Sequence, residues 1–336
     1  MIGIRVDSNT KIAMGHIMRC MSIAEQMNIK PIFICSERDS TDIASINGYK
    51  SICLENDYNR KEDELEALLG VIENNNITTL VVDSYSVTDK YLRKLHEKVK
   101  LVYIDDINSF KYDVDLIINY TYMTEKSIYE KWNYTNVKFL IGSKYVPLRK
   151  QFIQEPIQIQ DVKNIFITTG GTDEYHMIIE LIGRLDNNRY GLNIVLGRYY
   201  NDKEKLERYI DDIDNVTIYS NVSDIANIMK KNDIAISAGG TTLAELATLG
   251  IPTICFSVAD NQMSGTKMYD KSGLMIYCGD VRTNKEKVVE NIIRTVNKLA
   301  DDRIMRKQMA DNMKKSFDAC GATRLAREIE KVDRMS

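Results

Sequence analysis

Three strand-to-helix turns in this chain set glycine beside residues that can move a proton or hold an anion. The first runs from Arg5-Val6-Asp7-Ser8 to Gly15-His16-Ile17-Met18-Arg19-Cys20. A strand ends near Asp7, Gly15 lets the backbone turn, and His16 opens a helix whose buried stripe is Ile17, Cys20, Met21 and Ala24. His16 thereby falls at the carboxyl edge of a parallel sheet, where α/β folds bind ligands. The positive end of a helix dipole disfavours an imidazolium, which leaves the ring able to act as a general base. Position alone is equally compatible with a helix-terminal histidine satisfied by water.

The second turn is Ile167-Thr168-Thr169-Gly170-Gly171-Thr172-Asp173, again a strand running into a helix. Paired glycines let backbone amides approach a diphosphate, but by itself a Gly-Gly turn is more often a plain loop, and Asp173 adds a negative charge there. The third, Ser237-Ala238-Gly239-Gly240-Thr241-Thr242-Leu243-Ala244-Glu245, leads to Gly250-Ile251-Pro252 and Asp260-Asn261-Gln262. Thr241 or Thr242 can cap the next helix, and Glu245 lies one turn in, on the cap's side. A carboxylate there can accept two hydroxyls of a ribose while the helix N-terminus faces phosphate. The plain alternative is a solvated helix acid.

Other candidates carry less. His96, in Tyr91-Leu-Arg-Lys-Leu-His-Glu-Lys-Val-Lys100, reads as a surface residue, and His176 opens the helix after Gly171. Three scattered histidines without a His-Glu-x-x-His or cysteine cluster give metal catalysis no support, and Asp105-Asp106 and Asp113-x-Asp115 are assigned no metal. Tyr120, Tyr122, Tyr129, Tyr134 and Trp132 suit a sugar platform, though aromatic packing is the commoner cause of such a cluster.

The elements that must position these residues alternate from end to end. Strand-like runs at Ile2–Val6, Pro31–Cys35, Ser51–Leu54, Leu80–Val82, Leu101–Ile104, Leu116–Ile118 and Phe139–Ile141 occupy the first half, with helices near Lys61–Asn74 and Asp89–Val99. The second half restarts with Asn164–Thr168, Leu192–Leu196, Val216–Tyr219, Ile234–Ser237 and Thr253–Phe256. Such alternation predicts parallel α/β units, here two Rossmann-like domains. Their expected bounds are 1–150 and 163–336, joined by a linker at 151–162 that is rich in glutamine and holds Pro156. Helices in series are expected from Asn284, with a stop at Cys320-Gly321.

A length of 336 residues, with 44% hydrophobic side chains, supports two cores. The balance of 45 basic against 48 acidic residues is far from that of a nucleic-acid binder. No apolar run approaches a membrane span, Arg5 and Asp7 break any leader-like start, and six cysteines form no Cys-x-x-Cys pair. A cytoplasmic protein with free thiols and no membrane insertion is the expectation.

The stretch from Asn232 to Gln262 resembles the UDP-binding half of GT-B glycosyltransferases, especially the transferase that adds GlcNAc to the peptidoglycan lipid precursor. Ile4-Arg5-Val6-Asp7-Ser8 with Gly15-His16-Ile17-Met18-Arg19-Cys20 resembles the opening of the UDP-2,4-diacetamido-2,4,6-trideoxy-β-L-altropyranose hydrolases and of related spore-coat polysaccharide proteins. Val82-Asp83-Ser84-Tyr85, Ile104-Asp105-Asp106, Ile118-Asn119, Pro147-Leu148-Arg149, Gly170-Gly171-Thr172-Asp173 and Asp260-Asn261-Gln262 follow in that family's order, with a departure at Met14. The resemblance implies a GT-B-like fold with two parallel sheets facing across a cleft. It also implies hydrolysis of a UDP-linked diacetamido-trideoxy sugar at its anomeric C–O bond, with inversion, in nonulosonic (pseudaminic-type) acid biosynthesis.

On that reading His16 is the base, and Arg5, Asp7, Gly15, Tyr85, Asn261 and Gln262 touch substrate. Gly170, Gly171, Thr172, Gly239, Gly240, Thr241, Thr242 and Glu245 hold UDP. No metal or cofactor enters the scheme, and the partner is a small UDP-sugar, with the oligomeric state left open. A GT-B glycosyltransferase and a non-catalytic nucleotide-sugar-binding protein are the alternatives.

Overall fold

The computed structural model describes residues 1–8 and 14–334, so residues 9–13 of the first turn lie outside the described residues. The chain forms two compact units, Met1–Arg149 with Ala319–Ser336, and Lys150–Asp318.

The first unit is built on seven parallel strands: β1 (Ile2–Val6), β2 (Ile32–Cys35), β3 (Ser51–Cys53), β4 (Thr79–Asp83), β5 (Lys100–Ile104), β6 (Leu116–Asn119) and β7 (Lys138–Ile141). Their spatial order is β3-β2-β1-β4-β5-β6-β7. Helices α1 (Gly15–Ala24), α2 (Arg38–Ile46), α3 (Lys61–Asn74) and α4 (Asp89–His96) connect them. The central strands are near-continuous aliphatic runs because both faces are covered. Side chains alternate between the faces: Val81 enters a core with Ile4 and Ile17, whereas Leu80 and Val82 enter another with Leu68 and Leu92. Strand order reverses between β1 and β4, which opens a crevice at their carboxyl ends.

The second unit repeats the plan with β8 (Asn164–Thr168), β9 (Gly191–Val195), β10 (Val216–Tyr219), β11 (Ile234–Ala238), β12 (Thr253–Ser257) and β13 (Met275–Asp280). The order is β10-β9-β8-β11-β12-β13, so the reversal lies between β8 and β11. Its helices are α5 (Met177–Arg184), α6 (Lys203–Tyr209), α7 (Ile225–Met229), α8 (Thr241–Thr248), α9 (Asp260–Lys271), α10 (Val281–Asp301) and α11 (Arg303–Ser316). Within α10, Asn284 has non-helical backbone angles and its side chain accepts from the Lys287 amide at 3.0 Å, so the regular helix does begin there.

Two expected boundaries differ. Helix α12 (Gly321–Arg334), predicted to close the second domain, packs in the first unit. Its stripe of Leu325, Ala326, Ile329 and Val332 is buried in the core that holds Ile17 and Met21. Asn28 donates to Glu330 at 2.6 and 2.7 Å, and Thr78 donates to Asp333 at 2.6 Å. The linker at 151–162 is likewise fastened to the second unit. Phe152 is fully buried, the Ile157 amide donates to the Leu249 carbonyl at 2.9 Å, and Arg306 donates to the Gln160 carbonyl at 2.7 Å. Among the described residues no helix is long and apolar enough to cross a membrane.

Candidate functional site

In the first unit the reversal point carries a cluster around His16. Val6 at the end of β1 is in register with Asp83 at the end of β4, and α1 starts over this edge. The His16 Nδ1 lies 2.7 Å from Asp83 Oδ1 and 2.9 Å from Arg19 Nη2. Arg19, one helical turn further on, donates from Nε to Asp83 Oδ2 at 2.6 Å and from Nη2 to Oδ1. The Cys20 thiol, also turned to Asp83, donates to Oδ2 at 3.4 Å. Burial alone would push the Asp83 carboxyl up, yet the Arg19 guanidinium and His16 hold it well below the usual carboxylate range.

The cluster extends outward. Arg19 Nη1 donates to the Tyr120 hydroxyl at 2.5 Å and approaches Asp106 Oδ2 at 3.5 Å. Tyr85 donates to the same Asp106 oxygen at 2.7 Å and sets its ring edge-on to His16, with centroids 4.7 Å apart. Burial and the Asp106 charge push the Tyr85 phenol up, so it stays protonated and donating. Tyr85 is 43% exposed, whereas His16 is 7%. The sequence reading named His16, Gly15 and Tyr85 here, weighed Tyr120 only within an aromatic cluster and Asp106 only as a metal ligand, and gave Arg19 and Asp83 no role of their own. The available signal was polar residues in or next to the last positions of β4, β5 and β6.

Arg5 and Asp7 behave otherwise than expected. Both are buried below β1's end in a closed ionic network with Lys61 and Glu64 from α3. Arg5 donates to both Glu64 oxygens at 2.7 and 2.6 Å, and Lys61 donates to Asp7 at 2.7 Å. Ser36 donates from its amide to Asp7 at 2.7 Å and from its hydroxyl to Glu64 at 2.9 Å. These charges satisfy one another inside the protein and tie β1, β2 and α3 together. They hold the strand that leads to His16, and their polar atoms are engaged with one another.

In the second unit both glycine turns sit at the reversal between β8 and β11. After β8, Asp173 accepts from the Met177 and Ile178 amides at 2.9 and 3.0 Å. The first amides of α5 are thus occupied by the protein's own carboxylate. Burial pushes the Asp173 carboxyl up, against the pull of those amides. Gly197, not singled out from the sequence, explains how this loop is held. A Cβ there would lie 2.1 Å from the Gly170 carbonyl oxygen and 2.4 Å from that of Gly171, so only glycine lets the chain after β9 pass.

After β11 the arrangement is more open. Helix α8 starts at Thr241 behind a glycine N-cap, Gly240, which has no side chain to cap it, and has no acidic residue in its first turn. In α5, by contrast, Asp173 meets the first amides. A Cβ on Gly239 would lie 2.8 Å from Gln262 Cβ and 2.9 Å from Thr266 Cγ2, so glycine lets α9 pack against the end of β11. Asn261 is exposed on the first turn of α9, and Gln262 accepts the Val258 amide at 2.9 Å. Glu245 is 9% exposed, which removes the solvated-acid reading.

The remaining candidates separate. Tyr129 donates to Asp105, which also accepts from Tyr112 at 2.9 Å and from two backbone amides. Tyr134 and Trp132 hydrogen-bond nearby loops, at the Tyr112 amide and Asn108. Tyr129, Tyr134 and Trp132 are thus engaged in packing and loop contacts, whereas Tyr120 reaches the His16 cluster through Arg19. His96 sits between Asp113 and Asp115 at 3.0 Å each, next to the amino ends of β5 and β6. His176 is exposed beside α5. Among the described residues no three His, Cys, Asp or Glu side chains are grouped to hold a metal ion.

Comparisons with known proteins agree with this architecture. Residues 169–321 match a family described as a protein of unknown function, DUF354. An uncharacterized protein from Methanocaldococcus jannaschii is 26% identical over 93% of this chain and 70% of that one. The spore coat polysaccharide biosynthesis protein SpsG of Bacillus subtilis is 22% identical over 83% of each chain. A Helicobacter pylori protein named as a pseudaminic acid cytidylyltransferase and UDP-2,4-diacetamido-2,4,6-trideoxy-β-L-altropyranose hydrolase is 27% identical over 65% of this chain and 40% of that one. Among solved structures, Acinetobacter baumannii MurG superposes with a TM-score of 0.68 at 13% identity, covering 98% and 99% of the two chains. Staphylococcus aureus MnaA, solved with UDP, gives 0.67 at 13% identity over 100% and 97%. The fold is GT-B-like, with two Rossmann-like parallel-sheet units.

Proposed function

We propose that this chain is a metal-independent hydrolase of a UDP-linked diacetamido-trideoxy sugar, serving nonulosonic acid biosynthesis in a reducing, cytoplasmic compartment. The observation that carries the reading is the buried His16 braced by Asp83 and Arg19 and faced by Tyr85, at the ligand-binding edge of its sheet. The name of the Helicobacter pylori relative and the UDP in the MnaA structure support the substrate class. UDP is held by the second unit, its diphosphate at the Gly239-Gly240-Thr241-Thr242 turn and the Gly170–Thr172 loop, its ribose at Glu245. Tyr85, Asn261 and Gln262 contact the sugar.

Water attacks the anomeric carbon as His16 takes its proton. The bond from that carbon to the diphosphate oxygen breaks, and the electron pair leaves with UDP. Amides at the α8 N-terminus stabilise the charge that grows there. UDP is a good leaving group, so no strong general acid is required.

A panel of UDP-linked amino sugars incubated without any acceptor tests the proposal. Release of UDP and free sugar, with label from ¹⁸O-water on the sugar, is the expected result. Label in UDP points to attack at phosphorus. Release that needs an added acceptor hydroxyl favours the glycosyltransferase reading, which the likeness to MurG keeps in play, and binding without turnover favours a sensor.

A further inference from the structure

We infer that Asp83 is a positioning residue that holds the His16 ring as its Nδ1–H tautomer, leaving Nε2 as the nitrogen that accepts a proton. The purpose of that proton transfer rests on the hydrolase reading, but the tautomer does not.

His16 Nδ1 has two polar neighbours, Asp83 Oδ1 at 2.7 Å and Arg19 Nη2 at 2.9 Å, and they ask opposite things of it. A guanidinium can only donate, so Arg19 would suit a bare Nδ1, whereas a carboxylate can only accept, so Asp83 needs Nδ1–H. Asp83 decides the matter. It is 1% exposed and takes both Nε and Nη2 of Arg19, which makes it an anion with no proton of its own to share. A bare ring nitrogen would then set two lone pairs 2.7 Å apart in a buried site. Arg19 keeps both of its bonds to Asp83 when Nδ1 keeps its hydrogen and gives up only the contact from Nη2 to the ring. With Nδ1 protonated, the lone pair of the neutral ring is on Nε2.

The arrangement also balances charge through the reaction. In the ground state Asp83 and Arg19 form a neutral pair behind a neutral ring. When water gives its proton to Nε2, the ring becomes an imidazolium whose Nδ1–H still points at Asp83. The hydroxyl oxygen bonds to the anomeric carbon, and the sugar–diphosphate bond breaks with its electron pair going to UDP. Tyr85 packs edge-on against the same ring, with centroids 4.7 Å apart.

The test begins with the wild-type chain, so it does not depend on a variant folding. A long-range ¹H–¹⁵N spectrum of ¹⁵N-labelled protein at mildly alkaline pH has only three imidazoles to assign, and H16N removes the relevant one. A protonated Nδ1 and unprotonated Nε2 are expected, and the reverse tautomer would overturn the inference. In Asp83→Asn one amide oxygen replaces two carboxylate oxygens and the anion is lost: with the oxygen kept for Arg19 Nε, the amide NH2 faces Nδ1 and favours a bare nitrogen there, so the ring is no longer held in one form. The His16 signals should gain a share of the Nε2–H form. With a substrate that turns over, kcat should fall about 10²–10⁴-fold while KM and UDP affinity stay within about threefold.

An Asp83→Asn protein that keeps both the Nδ1–H signature and wild-type turnover would remove Asp83 from this role. The expected tautomer in a wild-type protein that hydrolyses no UDP-sugar supports the positioning role and counts against the hydrolase.

Discussion

Removing the Glu64 carboxylate should unfold the first unit at a markedly lower temperature without touching a ligand contact. Glu64 accepts four hydrogen bonds, from Arg5 Nε and Nη2, the Ser36 hydroxyl and the Tyr91 hydroxyl. Arg5 and Lys61 are 0% and 1% exposed, so in Glu64→Ala neither cation can recover its lost partner from water. Breaking a buried ion pair from one side costs about 3–5 kcal/mol, most of it the penalty of leaving a charge uncompensated. For a unit of this size each kcal/mol moves the midpoint by about 2–4 °C, so Tm should fall by about 6–20 °C. Trp132, the only tryptophan in the chain, lies in the first unit, so its fluorescence follows this transition selectively. A loss below about 1 kcal/mol, the size of an exposed pair, would mean that water reaches the network and would return Arg5 and Asp7 to the list of groups open to substrate.

Acid should probe the same network. Arg5 and Lys61 overcome the upward push of burial and hold the Asp7 carboxyl down to about 2. A folded pKa below the unfolded value near 3.9 stabilises the fold above about pH 4, and this contribution of about 2–3 kcal/mol is lost as pH falls through about 2. In Asp7→Asn, chemical denaturation should show a correspondingly flatter acid limb. Glu245→Ala should lose roughly 1.5–3 kcal/mol of UDP affinity by calorimetry, and unchanged binding would take Glu245 out of the nucleotide site. Gly197→Ala should disturb the Gly170–Gly171 loop and weaken UDP binding, whereas normal binding and stability would show that the loop can yield to a Cβ. His16→Asn should lower kcat about 10²–10⁴-fold with UDP affinity nearly intact; retained turnover would send the search for the base to His176.

Most strands were legible because a parallel strand covered on both faces must be an unbroken aliphatic run. Residues such as Val81 and Val82 are therefore visible without any partner. The omissions have physical causes. Helix α2 has only Ile43 and Ala44 as buried apolar residues among Arg38–Ile46, too few for a periodic stripe. Strand β13 ends in Cys278-Gly279-Asp280, which reads as a turn. Helix α12 was visible as a helix but not as part of the first unit, because an amphipathic stripe records that a face is buried and not which core receives it.

The site was legible in the same uneven way. A glycine-flanked histidine at the start of a helix announces itself, since the turn and the helix are local. Its partner Asp83 lies 67 positions away and becomes adjacent only because β4 pairs with β1 in a sheet whose order reverses there. The pairing of Arg5 and Asp7 was hidden for a related reason. They stand on the strand that leads to the ligand edge, but Lys61 and Glu64, one turn apart on α3, are both buried and meet them from the side. Whether a charge near a strand end serves a ligand or the fold thus depends on what a distant helix brings against it. For His16 the distant strand brings Asp83, Asp83 is neutralised by Arg19 from the histidine's own helix, and Tyr85 covers the ring while remaining partly exposed. That combination leaves a buried imidazole with one nitrogen committed to the protein, which is the condition a general base requires.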